Sequence, residues 1–435
     1  MAPVRSTDAL IIGGGPAGSM AAAWLAQAGI GIVLLEGPAR ARPNIGESLL
    51  PHFLPFLDRL GVLERVESLP HTRRAEGLTF TSSDGCTQAS YYFDSALPPA
   101  LPHAFQIRRD ELDATLLAAA RAAGAEVLAG WSATAPIWEG AHLAGVSARS
   151  PEGKLLTIEA RTVLDASGRS SFLAGQMGWR FPYPMHRKVS AVATFEGVWL
   201  PPGRAAGNTT LVYAGDGWYW LIPFADGTVS VGVVRDARRG TPASGMLEIE
   251  PQASLDLPPE VARRLAGARR VSEPATFADY SYRVMKVAGD GYCLIGDAAG
   301  FLDPIFSAGL LVAAATAASA ADDVIEALGH KPRIESSDFG PTVALTRSLQ
   351  RLLTSLTRAL YNPHFLALLF ARPDQLQLSA ALGSLLAGDL LGPQRWKCTA
   401  RYRLLLWLAQ AQEWATRWGH PLVAPLPHSG AGAGN

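Results

Sequence analysis

Gly13, Gly15 and Gly18, in the run Gly13-Gly14-Gly15-Pro16-Ala17-Gly18, stand between an apolar stretch at 9–12 and a helix-forming stretch from Met20 onward. Strand, glycine turn and helix is the order in which a chain presents bare backbone amides to a pyrophosphate. Gly13 permits the tight turn, Gly15 lets phosphate oxygens approach the backbone, and Gly18 lets helix pack on strand, with Ala17 in the first helical turn. Glu36 ends the next apolar stretch, 31–35, where a carboxylate accepts from ribose hydroxyls and disfavours a 2′-phosphate. Asp297 follows another apolar run and can also accept from hydroxyls, or cap a helix. Gly309, followed by Leu310, opens an apolar helix whose dipole favours negative charge at its start. Trp218 and Trp220, in Trp218-Tyr219-Trp220-Leu221-Ile222-Pro223, lie two apart, so on a strand both indoles face one side. That side is either a buried strand face or the wall of a dry chamber. These residues imply a dinucleotide site and leave FAD or NAD open.

The elements that position these groups predict an α/β fold. A Rossmann-type dinucleotide domain is expected from 1–75, 104–180 and 275–330, interleaved with an antiparallel substrate-binding sheet from 76–103 and 181–274. A C-terminal helical region, 331–435, completes it, with helical periodicity at 348–360, 375–391 and 402–418. The last segment carries Leu404, Leu405, Trp407, Leu408, Trp414 and Trp418 among Arg401, Arg403, Glu413 and Arg417. Core packing is its expected role, and a docking surface the alternative if the indoles prove exposed. Residues 309–321 read as a buried helix too short to span a membrane, and the tail 429–435 as disordered.

With 435 residues, 48% of them hydrophobic, the chain can bury a substantial core. Lys plus Arg equals Asp plus Glu, 38 each, so no net field favours nucleic acid. Cys86, Cys293 and Cys398 match no metal or disulfide spacing and are expected as small buried hydrophobes in a reducing compartment. The first strand begins too close to Met1 for a signal peptide, which makes the cytoplasm the expected location.

Two later segments resemble the family of FAD-dependent aromatic hydroxylases and halogenases. One is Gln106-Ile107-Arg108-Arg109-Asp110-Glu111-Leu112-Asp113. The other is Leu294-Ile295-Gly296-Asp297-Ala298-Ala299-Gly300-Phe301-Leu302-Asp303-Pro304, followed by Phe306-Ser307-Ala308-Gly309-Leu310. The resemblance implies FAD as cofactor and O2 as oxidant. It places Arg109 near the flavin, Asp297 on the ribityl chain, and the amides at Gly309 and Leu310 against the ring. Residues 163–168 are similar to the family's returning strand. No second glycine fingerprint is present, so electrons are expected from transiently bound NAD(P)H or from a separate flavin reductase.

Asn44-Ile45-Gly46-Glu47-Ser48-Leu49-Leu50-Pro51, the turn from Phe301 to Gly309 and the tryptophan hexad resemble the halogenase branch. That branch carries a lysine in a Lys-x-Gly segment. The corresponding stretch here is Arg74-Ala75-Glu76-Gly77, with Ala75 at the lysine's place. Arg74 does not replace it, because a guanidinium stays protonated and is a poor nucleophile. None of the five lysines, Lys154, Lys188, Lys286, Lys331 and Lys397, is near it in sequence. The reading is a monooxygenase acting through a C4a-hydroperoxyflavin in a chamber lined by Trp218, Trp220 and Phe306. Its substrate is an aromatic small molecule or a tryptophan-containing polypeptide, as in the halogenase-like flavoproteins of tryptophylquinone cofactor biogenesis that the chain resembles. Glu47 is the best-placed catalytic carboxylate, with orientation of the flavin loop as its alternative role. His52 and His103 are expected near the pocket edge. A halogenase, a flavin-dependent reductase of prenyl double bonds, and a flavin sensor remain the alternatives.

Overall fold

The computed structural model describes residues 3–38, 45–183, 188–215, 217–236, 257–278, 281–392 and 395–424. Asn44 and the tail 429–435 lie outside the described residues. The strands Val4–Ile12 and Ile32–Glu36 run parallel, joined by the helix Pro16–Gln27. Pro16 opens that helix, where its fixed φ suits the first turn and its missing N–H costs nothing. The sheet runs in the order Ala288–Gly289, Tyr292–Leu294, Leu155–Asp165, Val4–Ile12, Ile32–Glu36 and Glu126–Ala129. His142–Arg149 pairs antiparallel with Leu155–Asp165, and Ser132–Glu139 pairs antiparallel with His142–Arg149 in turn. The parallel strands end together at Ile12, Glu36 and Asp165, on the edge where such sheets bind ligands. Gly309–His330 packs on Pro16–Gln27, and both helices bury alanines in the shared core, Ala21 to Ala23 on one and Ala313, Ala314 and Ala317 on the other. Small side chains on both let the two helices approach closely.

The second sheet has the order Arg269–Arg270, Lys188–Glu196, Val229–Asp236, Gly217–Pro223, Thr209–Ala214, Gly77–Thr81 and Gln88–Tyr92. It is antiparallel except where Thr209–Ala214 runs parallel to Gly77–Thr81, so the sheet is mixed. Gly77–Thr81 arrives from a distant part of the chain, and strand periodicity carries no pairing direction. Within Gly217–Pro223, Trp218, Trp220 and Ile222 face one core and Tyr219 and Leu221 the other. Gly232 lies opposite Trp220, and a Cβ there would fall 1.9 Å from the indole. The missing side chain is what admits the ring.

Four helices follow, Gly340–Leu360, Pro363–Ala371, Leu378–Leu386 and Arg395–Arg417. Pro363–Ala371 is buried from Phe365 to Phe370, so it has no amphipathic stripe to read in sequence. On Arg395–Arg417, Leu405 is buried as expected, but Trp407 and Trp414, with Trp418 in the turn just beyond, are 62%, 66% and 68% exposed. Spacings of seven and four put these indoles on one stripe, opposite the inward Cys398, Leu405 and Ala409. Cys293 and Cys398 are buried, whereas Cys86 is exposed in the turn before Gln88–Tyr92, contrary to expectation. No helix among the described residues is long and apolar enough to cross a membrane.

Candidate active site

A cavity of about 1210 Å³ is walled by both sheets. One end is made by Ile12 to Ala17 with Leu35 and Glu36, and the other by Trp218, Trp220, Ile222 and Phe224 with residues 300–310. Gly13 has φ +105°, and a Cβ on it would stand 2.4 Å from the Ala166 carbonyl oxygen. A Cβ on Gly14 would meet Glu36 Oε2 at 2.0 Å. Gly15 lines the cavity and has nothing within 4 Å of its Cβ position, so open space lies against bare backbone. No side chain caps the helix that follows. This is a cradle with room for a pyrophosphate and amides to hold it. Gly18 is off the cavity wall; its Cβ would fall 1.9 Å from the Gly13 oxygen, which makes it a packing position.

The cavity also gathers Glu47, Arg109, Asp297, Phe306, Gly309 and Leu310. Arg109 pairs with Asp113 and donates from Nη1 to the Ile45 carbonyl at 2.5 Å, which fixes the loop carrying Glu47. Burial raises the Glu47 carboxyl to about 7, against a hydrogen bond from Ser230 and the charges of Arg109 and Arg108. Asp297 lies inside the short turn Gly296–Ala299, preceded by Ile295 in the capping position, so it is not a helix cap. The helix Gly309–His330 begins behind Ala308 with no side-chain cap, and Ala308, Gly309 and Leu310 at its start line the cavity. Ser48, expected beside the cofactor from its segment's resemblance to the halogenase branch, stands apart from the wall: it is buried, and Thr209 Oγ1 donates to its hydroxyl at 3.0 Å. Neither His52 nor His103 is on the wall.

Behind the tryptophans the fold assembles a group that sequence reasoning missed. Trp218 Nε1 donates to the Tyr361 hydroxyl at 2.9 Å, and that hydroxyl donates to Asp303 at 2.7 Å. Lys188 Nζ lies 3.9 Å from the Tyr361 ring centre and pairs with Asp236 at 2.5 Å. Burial raises the Asp303 carboxyl to about 6, opposed by Tyr361 and Lys188. Tyr361→Phe removes a bond that favours the charged carboxylate, so Asp303 should be raised further. The variant should lose about 1–3 kcal/mol of stability. A raised carboxyl is protonated in the fold below its shifted value, so the loss should be larger at pH 8 than at pH 5. Equal losses in denaturant melts at the two pH values would refute the linkage.

Ala75 is 2% exposed, at the end of the short strand Arg73–Ala75. The fold supplies no amine to the cavity wall itself, since none of the five lysines lines it. Lys188 is the lysine held beside Asp303, which does line it.

A family model described as an FAD binding domain matches residues 6–332. The chain belongs to this family of FAD-dependent enzymes, which includes the flavin-dependent halogenases. A brominase of pyrrole carried on a peptidyl-carrier protein, from Pseudoalteromonas luteoviolacea, is 30% identical over 75% of this chain and 79% of its own. Tryptophan 2-halogenase of Chondromyces crocatus is 32% identical over 73% of this chain, which spans 61% of that relative's length. The myxobacterial chondrochloren halogenase CndH superposes with a TM-score of 0.75 at 26% identity, covering 93% of this chain and 97% of the halogenase. Membership and the glycine cradle agree that the cofactor of this flavoenzyme is FAD.

Proposed function

We propose that the chain is an FAD-dependent monooxygenase that hydroxylates an electron-rich aromatic ring, with a tryptophan side chain in a polypeptide as its favoured substrate. Ala75 carries this reading: where the halogenases carry a lysine, the chain has a buried methyl group. Bound and reduced, FAD supplies the two electrons that activate O2. One oxygen atom replaces a ring hydrogen as hydroxyl, and the other leaves as water with two protons. Trp218, Trp220 and Phe306 present apolar surface to the reacting centre and keep water from it. Glu47, held near 7, can take up or release a proton there at neutral pH.

Halogenation is the second reading, favoured by the relatives and by Lys188, an amine near the wall though ion-paired with Asp236. The two readings separate in one experiment: reduced FAD, oxygen-18 gas, bromide and an indole or tryptophan-containing peptide. The expected product contains oxygen-18 and no bromine. A brominated product free of oxygen-18, lost in Lys188→Met, would replace hydroxylation with halogenation. A saturated product without oxygen would point to reduction of double bonds instead.

A further inference from the structure

A second cavity, about 640 Å³, shares Tyr183 and Gln350 with the first, so the two chambers are neighbours through those residues. Arg347, Arg351 and Arg358 line it from the helix Gly340–Leu360, and Arg283 joins them from the strand Tyr282–Val284. Spacings of four and seven keep the three helical arginines on one side of their helix. Arg347 is tied to the carbonyls of Val284 and Met285. No carboxylate of the described residues pairs with Arg283, Arg351 or Arg358, and no Asp or Glu lines the groove. In a chain with equal numbers of acids and bases this is a local excess of positive charge. The facing wall includes Leu406, Ala409 and Gln410 of Arg395–Arg417.

We infer that this groove docks an acidic stretch of the polypeptide substrate, with the target ring passing Tyr183 and Gln350 toward the flavin. The inference rests on the reading of a polypeptide substrate. Arginine is among the residue types that most often carry binding energy at protein interfaces. From Arg347 to Arg358 the helix rises about 16 Å. A ladder of that length matches carboxylates distributed along a peptide, whereas a phosphate group needs cations converging on one point.

The test uses the full chain with FAD and two fluorescent peptides, each with one tryptophan. Asp and Glu flank it in one, Asn and Gln in the other. Anisotropy should show the acidic peptide binding more tightly, with affinity falling as salt rises. Arg351→Glu with Arg358→Glu should weaken it by about tenfold or more, and the Gln pair by less. Unchanged flavin absorbance and circular dichroism in these variants exclude misfolding. Equal binding of both peptides, or displacement of the acidic one by NADH, would overturn the inference. Binding is read without turnover, so an acidic peptide that binds but is not oxygenated supports the groove while removing the hydroxylase reading.

Discussion

Gly15→Val protein is expected to purify folded and without FAD. Gly15 has φ −70° and ψ −176°, a conformation any residue adopts, and nothing lies within 4 Å of its Cβ position. The fold therefore has no objection to the side chain. The space it enters is the cavity between the glycine turn and the uncapped start of Pro16–Gln27. A pyrophosphate held by these amides would be pushed away from them, and lost hydrogen bonds to a charged group are each worth about 1.5–3 kcal/mol. Affinity should drop by a hundredfold or more, since about 2.7 kcal/mol corresponds to that factor. Gly13→Val gives the contrasting outcome, loss of FAD together with loss of stability. Its φ of +105° strains a β-branched residue, and the added carbon meets the Ala166 carbonyl at 2.4 Å. Flavin absorbance per chain and thermal melts distinguish the pair. Full flavin content in Gly15→Val would mean the cofactor lies elsewhere.

Glu47→Gln should lower oxygenation by about 100-fold, within the usual range for a lost acid–base group. The wild-type carboxyl, raised to about 7 by burial, is neutral below that pH and charged above it. Acting as the base that removes the ring proton after oxygen transfer, it should give a rate that rises with pH and levels off above about 7. The Gln variant has no proton to lose, so this inflection should vanish. Stability supplies an independent sign. A carboxyl raised in the fold stabilises it only while protonated, so wild type should lose stability as pH rises from the unfolded value of 4.5 through about 7. Glu47→Gln should lose less over the same range, with Asp303, raised to about 6, accounting for part of what remains. An unchanged inflection in the variant would assign it to another group, with Asp303 the next carboxylate to examine.

The elements legible in sequence are those whose physics is local. A glycine turn between strand and helix shows in six consecutive residues, because backbone freedom at each position is a property of that residue. The two-residue period placed Trp218 and Trp220 on one side of a strand, and in the fold they share a cavity wall. The same local rules reached their limit on Arg395–Arg417, where periodicity marks a stripe but not which side meets a neighbour. Leu405 and the indoles were read together, and packing against the helix Leu378–Leu386 separated them. Pairing direction at Gly77–Thr81 was beyond those rules for the same reason.

By itself the sequence determined the glycine turn of the dinucleotide cradle and the alternation of the tryptophan strand. Only the tertiary structure decided what surrounds them. Tyr361 bridges Trp218 and Asp303 across sequence separations of 143 and 58 residues, and Lys188 comes to the same place from another strand. It also decided that four arginines share a groove beside the main cavity and that Trp407, Trp414 and Trp418 face outward. A turn is fixed by the torsions of its own residues. A buried hydrogen bond between distant segments exists only once the whole core has placed both partners.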